Sequence, residues 1–415
     1  MTLVQTFSFF SARRFTGLYI ASIMSAALFT IPAMAAEPVN SSFNQCLSTL
    51  TDQAISQGIT QSTLDKTLRV AKQRQKVVQL DRNQPEFLAT FADYYNKRVN
   101  DWRISKGQAK FAEHADFLGE LTAQYGIPGQ YLMAFWGLET NYGNYKGKIP
   151  TIDALATLAC EPRRKTFFTQ ELLTVLSIIQ EQALDVPSML GSWAGAMGHT
   201  QFMPSTYAQY AIDGDGNGTI DLFNSEKDAL ASAAHFLHRL GWESGYRWGR
   251  EIRLPDNFDY ALADRKIKKP LSFWRDQGVR TIYGHALPDS EYPAAVIVPS
   301  GHTGPVFLAY KNFNIIMRWN NSQSYAIAVG KLAEQINNAP GLVAAFPDSK
   351  PILRQQAKAL QRHLQQLGYN IKGIDGIIGS GTRAAIRAFQ LDNNMIADGF
   401  AHPDVFKKAA ALAAS

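Results

Sequence analysis

A single acidic residue, Glu139, lies in a long apolar stretch, where its carboxyl group could act as a general acid. No other charged residue occurs from 121 to 145. Pro128 favours the first turn of a helix and Gly143 favours its end, which predicts a helix over about 128 to 140. Burial and the negative end of the helix dipole both favour the protonated carboxylic acid that a general acid needs. An exposed glutamate at a frayed helix end is the alternative.

A second stretch, GSWAGAMGHTQFMPSTY at 191–207, places polar side chains among small and apolar residues. Its small residues allow the backbone to approach another surface closely. Ser192 and Gln201 need hydrogen-bond partners if they are buried, and a bound polar ligand is one such partner. Packing alone is the other explanation for the small residues.

The segment DGDGNGTIDLFNSEKD, at 213–228, matches the first half of a calcium-binding loop, in which every second side chain turns inward on a tight backbone. Its twelfth position is Asn224 rather than glutamate, so the closing ligand has to come from Glu226 or Asp228 through a longer turn. A turn without metal is the alternative. The predicted calcium ligands are Asp213, Asp215, Asn217, Thr219 and Asp228.

The N-terminus predicts export. Arg13 and Arg14 precede an apolar run at 17–32, and small residues follow, so we expect a signal peptide cleaved near Ala35 or Ala36. A retained membrane anchor is the alternative, although the run is short for a membrane span. No cysteine lies at the cleavage point, so a lipoprotein is not expected. The mature chain is predicted to be periplasmic and not stably inserted in the membrane.

Composition restricts the partners and the redox state. Removal of the two signal arginines lowers the formal charge from +6 to +4, and no basic block remains, so nucleic acid is not an expected partner. The chain has two cysteines, Cys46 and Cys160. One disulfide between them is expected in an oxidising periplasm, and two buried free thiols are the alternative.

Helical patterns dominate the chain, including one helix predicted over 109–125. Short strands near 251–254 and 294–298 predict a small sheet. Proline and glycine between 338 and 350 indicate a linker, and a compact helical unit follows it. Within that unit an Asp-Gly pair occurs twice, at 375–376 and 398–399, as a weak internal duplication.

The motifs AFWGLETNYG, GSWAGAMGHTQFMPSTY, the Asp/Gly loop and MRWNNSQSYAIAVG together resemble the catalytic domain of the lytic murein transglycosylase B family. The C-terminal stretch LGYNIKGIDGIIGSGTRAAIRAFQ is similar to a peptidoglycan-binding domain. This resemblance implies a mainly α (α+β) fold: a lysozyme-like helical core with a small β portion, and a small three-helix C-terminal domain. The predicted organisation is a signal peptide (1–36), a catalytic domain (37–342), a linker (343–350) and a peptidoglycan-binding domain (351–413).

The resemblance implies cleavage of the bond between N-acetylmuramic acid and N-acetylglucosamine, with a 1,6-anhydromuramoyl product. Glu139 takes the family's catalytic position, first as the acid for the glycosidic oxygen and then as the base for the C6 hydroxyl. A two-carboxylate glycosidase needs a second acid, and none accompanies Glu139 in its motif. A muramidase of the same fold and a wall-binding scaffold without catalysis are the two alternatives.

The resemblance also implies binding residues and partners. Trp319 stands where the family often has tyrosine, which keeps a stacking surface but loses a hydroxyl, and Arg163 and Arg164 match a pair associated with the peptide stem. Glycan strands and peptide stems of peptidoglycan are the expected partners of a monomer, with structural calcium and no organic cofactor. The implied substrate-binding residues are Ser192, Gln201, Phe202, Trp319, Asn320, Tyr325, Arg163 and Arg164.

Overall fold

The computed structural model describes residues 39–82 and 89–414, and the predicted signal peptide lies outside the described residues. The larger part of these residues forms a helical body with one central helix. Its helices are α1 (Val39–Ser56), α2 (Gln61–Lys66), α3 (Gln75–Arg82), α4 (Phe91–Arg98), α5 (Asp101–Glu113), α6 (Ala115–Tyr125), α7 (Gly129–Thr140), α8 (Thr151–Ala159), α9 (Lys165–Gln182), α10 (Pro204–Tyr210), α11 (Glu226–Arg239), α12 (Leu271–Asp276), α13 (Lys311–Trp319) and α14 (Gln323–Ile336).

Helix α7 is the central element, and it confirms the helix predicted over 128–140. Every residue from 131 to 138 is buried, as expected for a helix that is apolar on all sides. It ends at Asn141, which adopts the left-handed conformation with φ of 52°. Asparagine tolerates this conformation and so replaces glycine as the helix stop. The single helix predicted over 109–125 is wrong, because the chain breaks at His114 between α5 and α6.

A five-stranded antiparallel sheet packs beside the helices and confirms the predicted β portion. Its order is β4-β6-β7-β3-β5, and a separate pair joins β1 to β2. Trp248 connects the sheet to the helical body: its backbone N–H donates to the Tyr131 hydroxyl, and its ring lies against Gly330 of α14. The strands are β1 (Ile149–Pro150), β2 (Leu190–Gly191), β3 (Gly249–Arg253), β4 (Lys269–Pro270), β5 (Arg280–Thr281), β6 (Pro293–Ile297) and β7 (Val306–Ala309).

Three C-terminal helices form a unit with its own core, as the resemblance implied. They are α15 (Arg354–Gln366), α16 (Ser380–Asp392) and α17 (Pro403–Ala413). Leu360 and Phe389 are fully buried at the centre of this core. None of the described helices combines the length and apolarity that a membrane span needs.

Two cross-connections hold distant parts of the chain together. A disulfide joins Cys46 of α1 to Cys160 at the end of α8. The predicted linker segment packs against the helical body, where the Phe346 ring lies 5.7 Å from the rings of both Phe91 and Tyr95. The N–H groups of Val343 and Ala344 also donate to Glu251, so the first part of this segment, at 343–346, is docked on the catalytic domain.

Candidate active site

Glu139 lies in the last turn of α7, half-buried, and meets a tyrosine from another helix. The Tyr325 hydroxyl, on the first turn of α14, donates a hydrogen bond of 2.5 Å to Glu139 Oε1. Tyr325 is 4 % exposed. Burial, and then the neighbouring Glu139, raise the pKa of the Tyr325 hydroxyl well above its usual value. The hydroxyl therefore remains a donor and holds one oxygen of the carboxyl in place.

An aromatic wall stands beside this pair. Phe135, one helical turn before Glu139, stacks on Trp319 with a centroid distance of 4.4 Å. The rings of Phe202 and Trp319 are 5.1 Å apart, and the Phe135 and Tyr325 rings are 6.2 Å apart. Three predicted binding residues, Phe202, Trp319 and Tyr325, are thus brought to the predicted catalytic glutamate. Phe135, Phe202 and Tyr325 are buried, so the partly exposed Trp319 is the ring of this wall that a sugar can contact.

An arginine that sequence reasoning missed fixes the end of α7. Arg103 of α5 is buried, and burial lowers the pKa of its guanidinium. Its Nε donates to the Gly137 carbonyl at 2.9 Å, and its Nη2 donates to Asn141 Oδ1 at 2.5 Å. The Tyr142 hydroxyl closes the network by donating to the Arg103 carbonyl at 2.7 Å. A cation at the C-terminal end of a helix is favourable, so Arg103 stabilises the turn that carries Glu139.

His199 supports α7 from the side of the small-residue loop. Trp136 Nε1 donates to His199 Nδ1, and the Thr140 hydroxyl donates to the His199 carbonyl, both at 3.0 Å. Gly143 has φ of 82°, and a Cβ atom there would lie 2.5 Å from the His199 ring, so only glycine fits. Burial lowers the pKa of His199 to about 4, which keeps the ring neutral and able to accept from Trp136.

The polar side chains of Ser192 and Gln201 form hydrogen bonds with backbone groups of the protein. Ser192 Oγ accepts hydrogen bonds from the backbone N–H groups of residues 194 and 196. Gln201 Nε2 donates to the carbonyls of Lys146 and Gly198. A Cβ atom at Gly191 would lie 2.4 Å from a backbone oxygen, which confirms that the small residues permit close backbone approach. Backbone groups thus make the hydrogen bonds for which the sequence had left a bound ligand as one possible partner.

Comparison with protein families agrees with this geometry. Residues 42–334 match the model described as the transglycosylase SLT domain, and residues 354–408 match the putative peptidoglycan binding domain. The chain belongs to the transglycosylase SLT family. Its helical core is therefore the family's lysozyme-like fold, followed by the second matched domain.

Three relatives illustrate the similarity of this transglycosylase to known proteins. The chain is 30 % identical over 294 residues to the membrane-bound lytic murein transglycosylase B of Escherichia coli K12, covering 67 % of this chain and 79 % of the relative. SltB3 of Pseudomonas aeruginosa, solved with NAG-anhNAM-pentapeptide, has a TM-score of 0.86 and 42 % identity, over 89 % of this chain and 99 % of that one. Slt35 of Escherichia coli, solved with calcium, has a TM-score of 0.61 and 29 % identity, over 72 % and 93 % of the two chains.

The acidic loop of this transglycosylase fits a divalent cation. Oxygens of Asp213, Asp215 and Asp228 lie within 4.8 Å of one another. Three carboxylates this close repel one another, and a cation between them would remove the repulsion. Asn217 Oδ1 accepts a hydrogen bond from the Thr219 N–H, which keeps the loop tight at the two remaining predicted ligands. The donor set consists of oxygens, which calcium prefers.

The two candidate closing ligands of the loop have different surroundings. Asp228 is buried beneath the loop and accepts backbone hydrogen bonds from Gly214 and Asp221. Glu226 instead binds Lys110 at 3.0 Å and His114 at 2.9 Å, across to α5. Asp228 is therefore the residue whose position suits closure of the site.

The paired arginines of the transglycosylase serve first to neutralise a buried acid. Arg163 Nη1 lies 2.8 Å from Asp81 Oδ2, and Arg164 pairs with the other oxygen of Asp81. Asp81 is buried on α3, whereas both arginine side chains stay exposed. Asp81 was missed in the sequence because its partners lie more than 80 residues away.

The low pKa of His199 predicts a specific loss of stability in acid. The unfolded ring takes up a proton below pH of about 6.5 and the folded ring only below about 4. Stability therefore falls between these two values, by roughly 3 kcal/mol at most. Replacing His199 by Asn should cost stability at pH 7, and the difference from the native chain should shrink at pH 4.5. Thermal unfolding midpoints of both proteins at the two pH values measure this, and a constant difference would contradict it.

Proposed function

We propose that this chain is a lytic transglycosylase that cleaves the bond between N-acetylmuramic acid and N-acetylglucosamine in peptidoglycan and leaves a 1,6-anhydromuramoyl end. The observation that carries the proposal is the pairing of Glu139 with the Tyr325 hydroxyl beside the aromatic wall. One carboxyl is held rigidly by a donor that stays protonated. This arrangement suits a group that acts as an acid and then as a base.

The reaction proceeds in two proton transfers through the same carboxyl. Glu139 gives its proton to the glycosidic oxygen while the bond from that oxygen to C1 of the muramoyl residue breaks. The resulting carboxylate then takes the proton of the C6 hydroxyl as O6 bonds to C1 and closes the anhydro ring. Glu139 ends protonated, as it began, and no water is consumed. Tyr325 donates to Oε1 throughout and so keeps the carboxyl in one orientation during both transfers.

The binding residues divide by the part of the substrate that they serve. Trp319, which is partly exposed, offers a ring to the sugars, the buried Phe202 supports that ring, and the exposed Asn320 follows directly at the end of α13. Ser192 and Gln201 hold the small-residue loop in shape through hydrogen bonds to the backbone, and they serve the glycan strand through the shape of that loop. Arg163 and Arg164 recruit the carboxylates of the peptide stem with the N–H groups that Asp81 leaves exposed.

The chain is proposed to work in the periplasm as a monomer. Its signal peptide at 1–36 is removed, its catalytic domain spans 37–342, and its peptidoglycan-binding domain spans 351–413 after a linker at 343–350. The second domain raises the local concentration of the catalytic domain on the wall polymer by tethering.

Calcium is proposed to hold the acidic loop, with a structural role. Asp213, Asp215, Asn217, Thr219 and Asp228 would bind it. We expect calcium to raise the thermal unfolding midpoint of chelator-treated protein by several degrees, since ligands that bind only the folded state stabilise it. Asp215→Asn should lose most of this shift, and Asp256→Asn, an exposed aspartate of the β part, should keep it. An equal midpoint with calcium and with chelator would contradict the site.

Product analysis tests the proposed reaction. Isolated sacculi digested by the native chain should release muropeptides with anhydro ends, which mass spectrometry shows as lighter by one water than the hydrolytic products. Hydrated products alone would assign the chain to the muramidases. Binding to sacculi without release of either product would make it a non-catalytic wall-binding protein.

Loss of the tyrosine hydroxyl should lower turnover without weakening binding. Tyr325→Phe keeps the ring packing but removes the donor to Glu139 Oε1, a hydrogen bond of the kind worth about 1.5 to 3 kcal/mol. We expect kcat to fall about 10- to 100-fold and KM to stay nearly constant. Tyr283→Phe, at an exposed tyrosine of the β part, is the matched control and should leave both constants unchanged. A rise in KM alone would show that Tyr325 binds substrate and does not position the carboxyl.

A further inference from the structure

The Asp-Gly duplication of the C-terminal domain is structurally exact in its core. In the first copy Gln361 donates to Asp375 Oδ1 at 2.8 Å and accepts from the backbone N–H of residue 376 at 2.8 Å. In the second copy Gln390 donates to Asp398 Oδ1 at 2.9 Å and accepts from the N–H of residue 399 at 2.8 Å. In each copy the same Oδ1 also accepts the backbone N–H two residues later. In both copies the hydrogen bonds that hold the Asp-Gly loop in shape therefore involve one oxygen of the aspartate, Oδ1.

The two copies differ in what surrounds the other oxygen. Asp375 is exposed, and Gly379 stands four residues after it. Asp398 is 2 % exposed, and His402 stands at the equivalent position, with its Nε2 2.7 Å from Asp398 Oδ2. The first copy folds without a histidine, so the imidazole is not a requirement of the loop.

A second histidine reaches the same oxygen from the catalytic domain. His302 lies in the loop between β6 and β7, and its Nδ1 is 2.7 Å from Asp398 Oδ2. Its backbone N–H also donates to that oxygen, at 2.9 Å. The two imidazole rings are 4.7 Å apart. Two histidine nitrogens and one carboxylate oxygen thus converge within 4.8 Å of one another, from two domains.

We propose that His302, Asp398 and His402 form a binding site for a divalent first-row metal ion, best suited to zinc, that joins the catalytic domain to the peptidoglycan-binding domain. Two imidazoles and one carboxylate are a ligand set that zinc accepts, with a water as the fourth ligand. The site is separate from the acidic loop, whose ligands are all oxygens.

Small movements convert the hydrogen-bonded cluster into a coordination site. Bonds of about 2.0 to 2.1 Å in tetrahedral geometry separate ligand atoms by roughly 3.3 Å, so each nitrogen has to move about half an ångström away from Oδ2. Neutral histidines shift their ring protons to the other nitrogen. The bound metal then takes the place of the two imidazole N–H groups at Asp398 Oδ2. The backbone N–H of His302 continues to donate to that oxygen. Gln390 and the N–H of residue 400 already hold Oδ1, which supplies the outer hydrogen bonds that orient a ligand.

The site is partly open to solvent, so that an ion can enter, and its ligands come from both domains. The side chains of His302 and His402 are 27 % and 19 % exposed, whereas Asp398 is closed to solvent. Beside it the domains share an ion pair of 2.7 Å between Arg387 and Asp264. A metal ion with one ligand from the catalytic domain and two from the C-terminal domain would fix their relative orientation more firmly than these polar contacts alone.

Zinc binding to the full mature chain tests the proposal. Chelator-treated protein is saturated with calcium, so that the acidic loop is occupied, and titrated with zinc chloride in a calorimeter. We expect one equivalent to bind to the native chain and to His363→Ala, a histidine of α15 outside the cluster. His302→Ala and His402→Ala should each bind at least about 100-fold more weakly, because loss of an outer-shell partner alone costs about 10- to 100-fold and these residues are direct ligands. Circular dichroism of each variant shows whether it is folded.

Cobalt substitution gives an independent readout that does not depend on the variants. Native protein loaded with one equivalent of cobalt(II) should show the intense visible absorption of a four- or five-coordinate nitrogen and oxygen site. Absence of zinc binding to the native chain would overturn the proposal. Equal affinity of native chain, His302→Ala and His402→Ala would overturn it as well, as would loss of binding in His363→Ala.

Discussion

Glu139→Gln should abolish release of anhydro-muropeptides from sacculi, with a loss in kcat of at least about 1,000-fold. Each proton transfer by a positioned acid or base contributes about 10²- to 10⁴-fold, and this carboxyl performs both transfers. The amide keeps an oxygen that can accept the Tyr325 hydrogen bond, so the variant should fold normally. It cannot give a proton to the glycosidic oxygen or take one from the C6 hydroxyl. Liquid chromatography of the released products measures the effect.

The matched control for this variant is Glu120→Gln. Glu120 is an exposed glutamate on the neighbouring helix α6, and its substitution removes the same charge without touching the site. It should retain full activity, and both variants should bind sacculi as the native chain does, because the C-terminal domain is unchanged. Release of anhydro products by Glu139→Gln at more than about a tenth of the native rate would place the acid at another residue.

The helix that carries Glu139 could be predicted because its signals are local. A proline, an unbroken apolar run and a turn residue lie within one short segment, and the structure confirms the helix to within a residue or two. The lone carboxyl was visible for the same reason. Its partner Tyr325 lies 186 residues away, and only the resemblance of several motifs to one family brought the two together before the structure did.

The supports of the site could not be predicted because each depends on the crossing of distant elements. In the sequence Arg103 is one polar residue of an amphipathic helix, and its burial arises only when α5 crosses the end of α7. His199 becomes an acceptor for Trp136 because the small-residue loop packs beside that turn. Asp81 shows its role only beside Arg163 and Arg164. Composition and periodicity carry no information about such contacts.

The local sequence could not decide which residue closes the acidic loop. Spacing left both Glu226 and Asp228 as candidates, since either can reach back through a longer turn. In the structure Lys110 and His114 hold Glu226, and Asp228 lies with Asp213 and Asp215. Lys110 of α5 pairs with Glu226, and we therefore propose Asp228 as the closing ligand.

Removal of the disulfide should destabilise the catalytic domain more than any surface change. The bond between Cys46 and Cys160 closes a loop with a sequence separation of 114, and a loop of this size corresponds to about 5 kcal/mol of unfolded-state entropy. We expect Cys46→Ser with Cys160→Ser to lower the free energy of unfolding by about 3 kcal/mol. Guanidinium unfolding followed by tryptophan fluorescence, with and without reductant, measures the loss.

The same disulfide should matter little to the chemistry at moderate temperature. Phe43, Leu50 and Ala54 of α1 are buried in the main core, so the helix keeps its apolar contacts without the bond. The double variant should therefore cleave sacculi at 25 °C at a rate near the native one but lose activity at a lower temperature on heating. Reductant should shift the native chain to the behaviour of the variant and leave the variant unchanged. A native chain that unfolds at the same guanidinium concentration with and without reductant would show that the bond contributes nothing, and the anchoring of α1 would then rest on its apolar face alone.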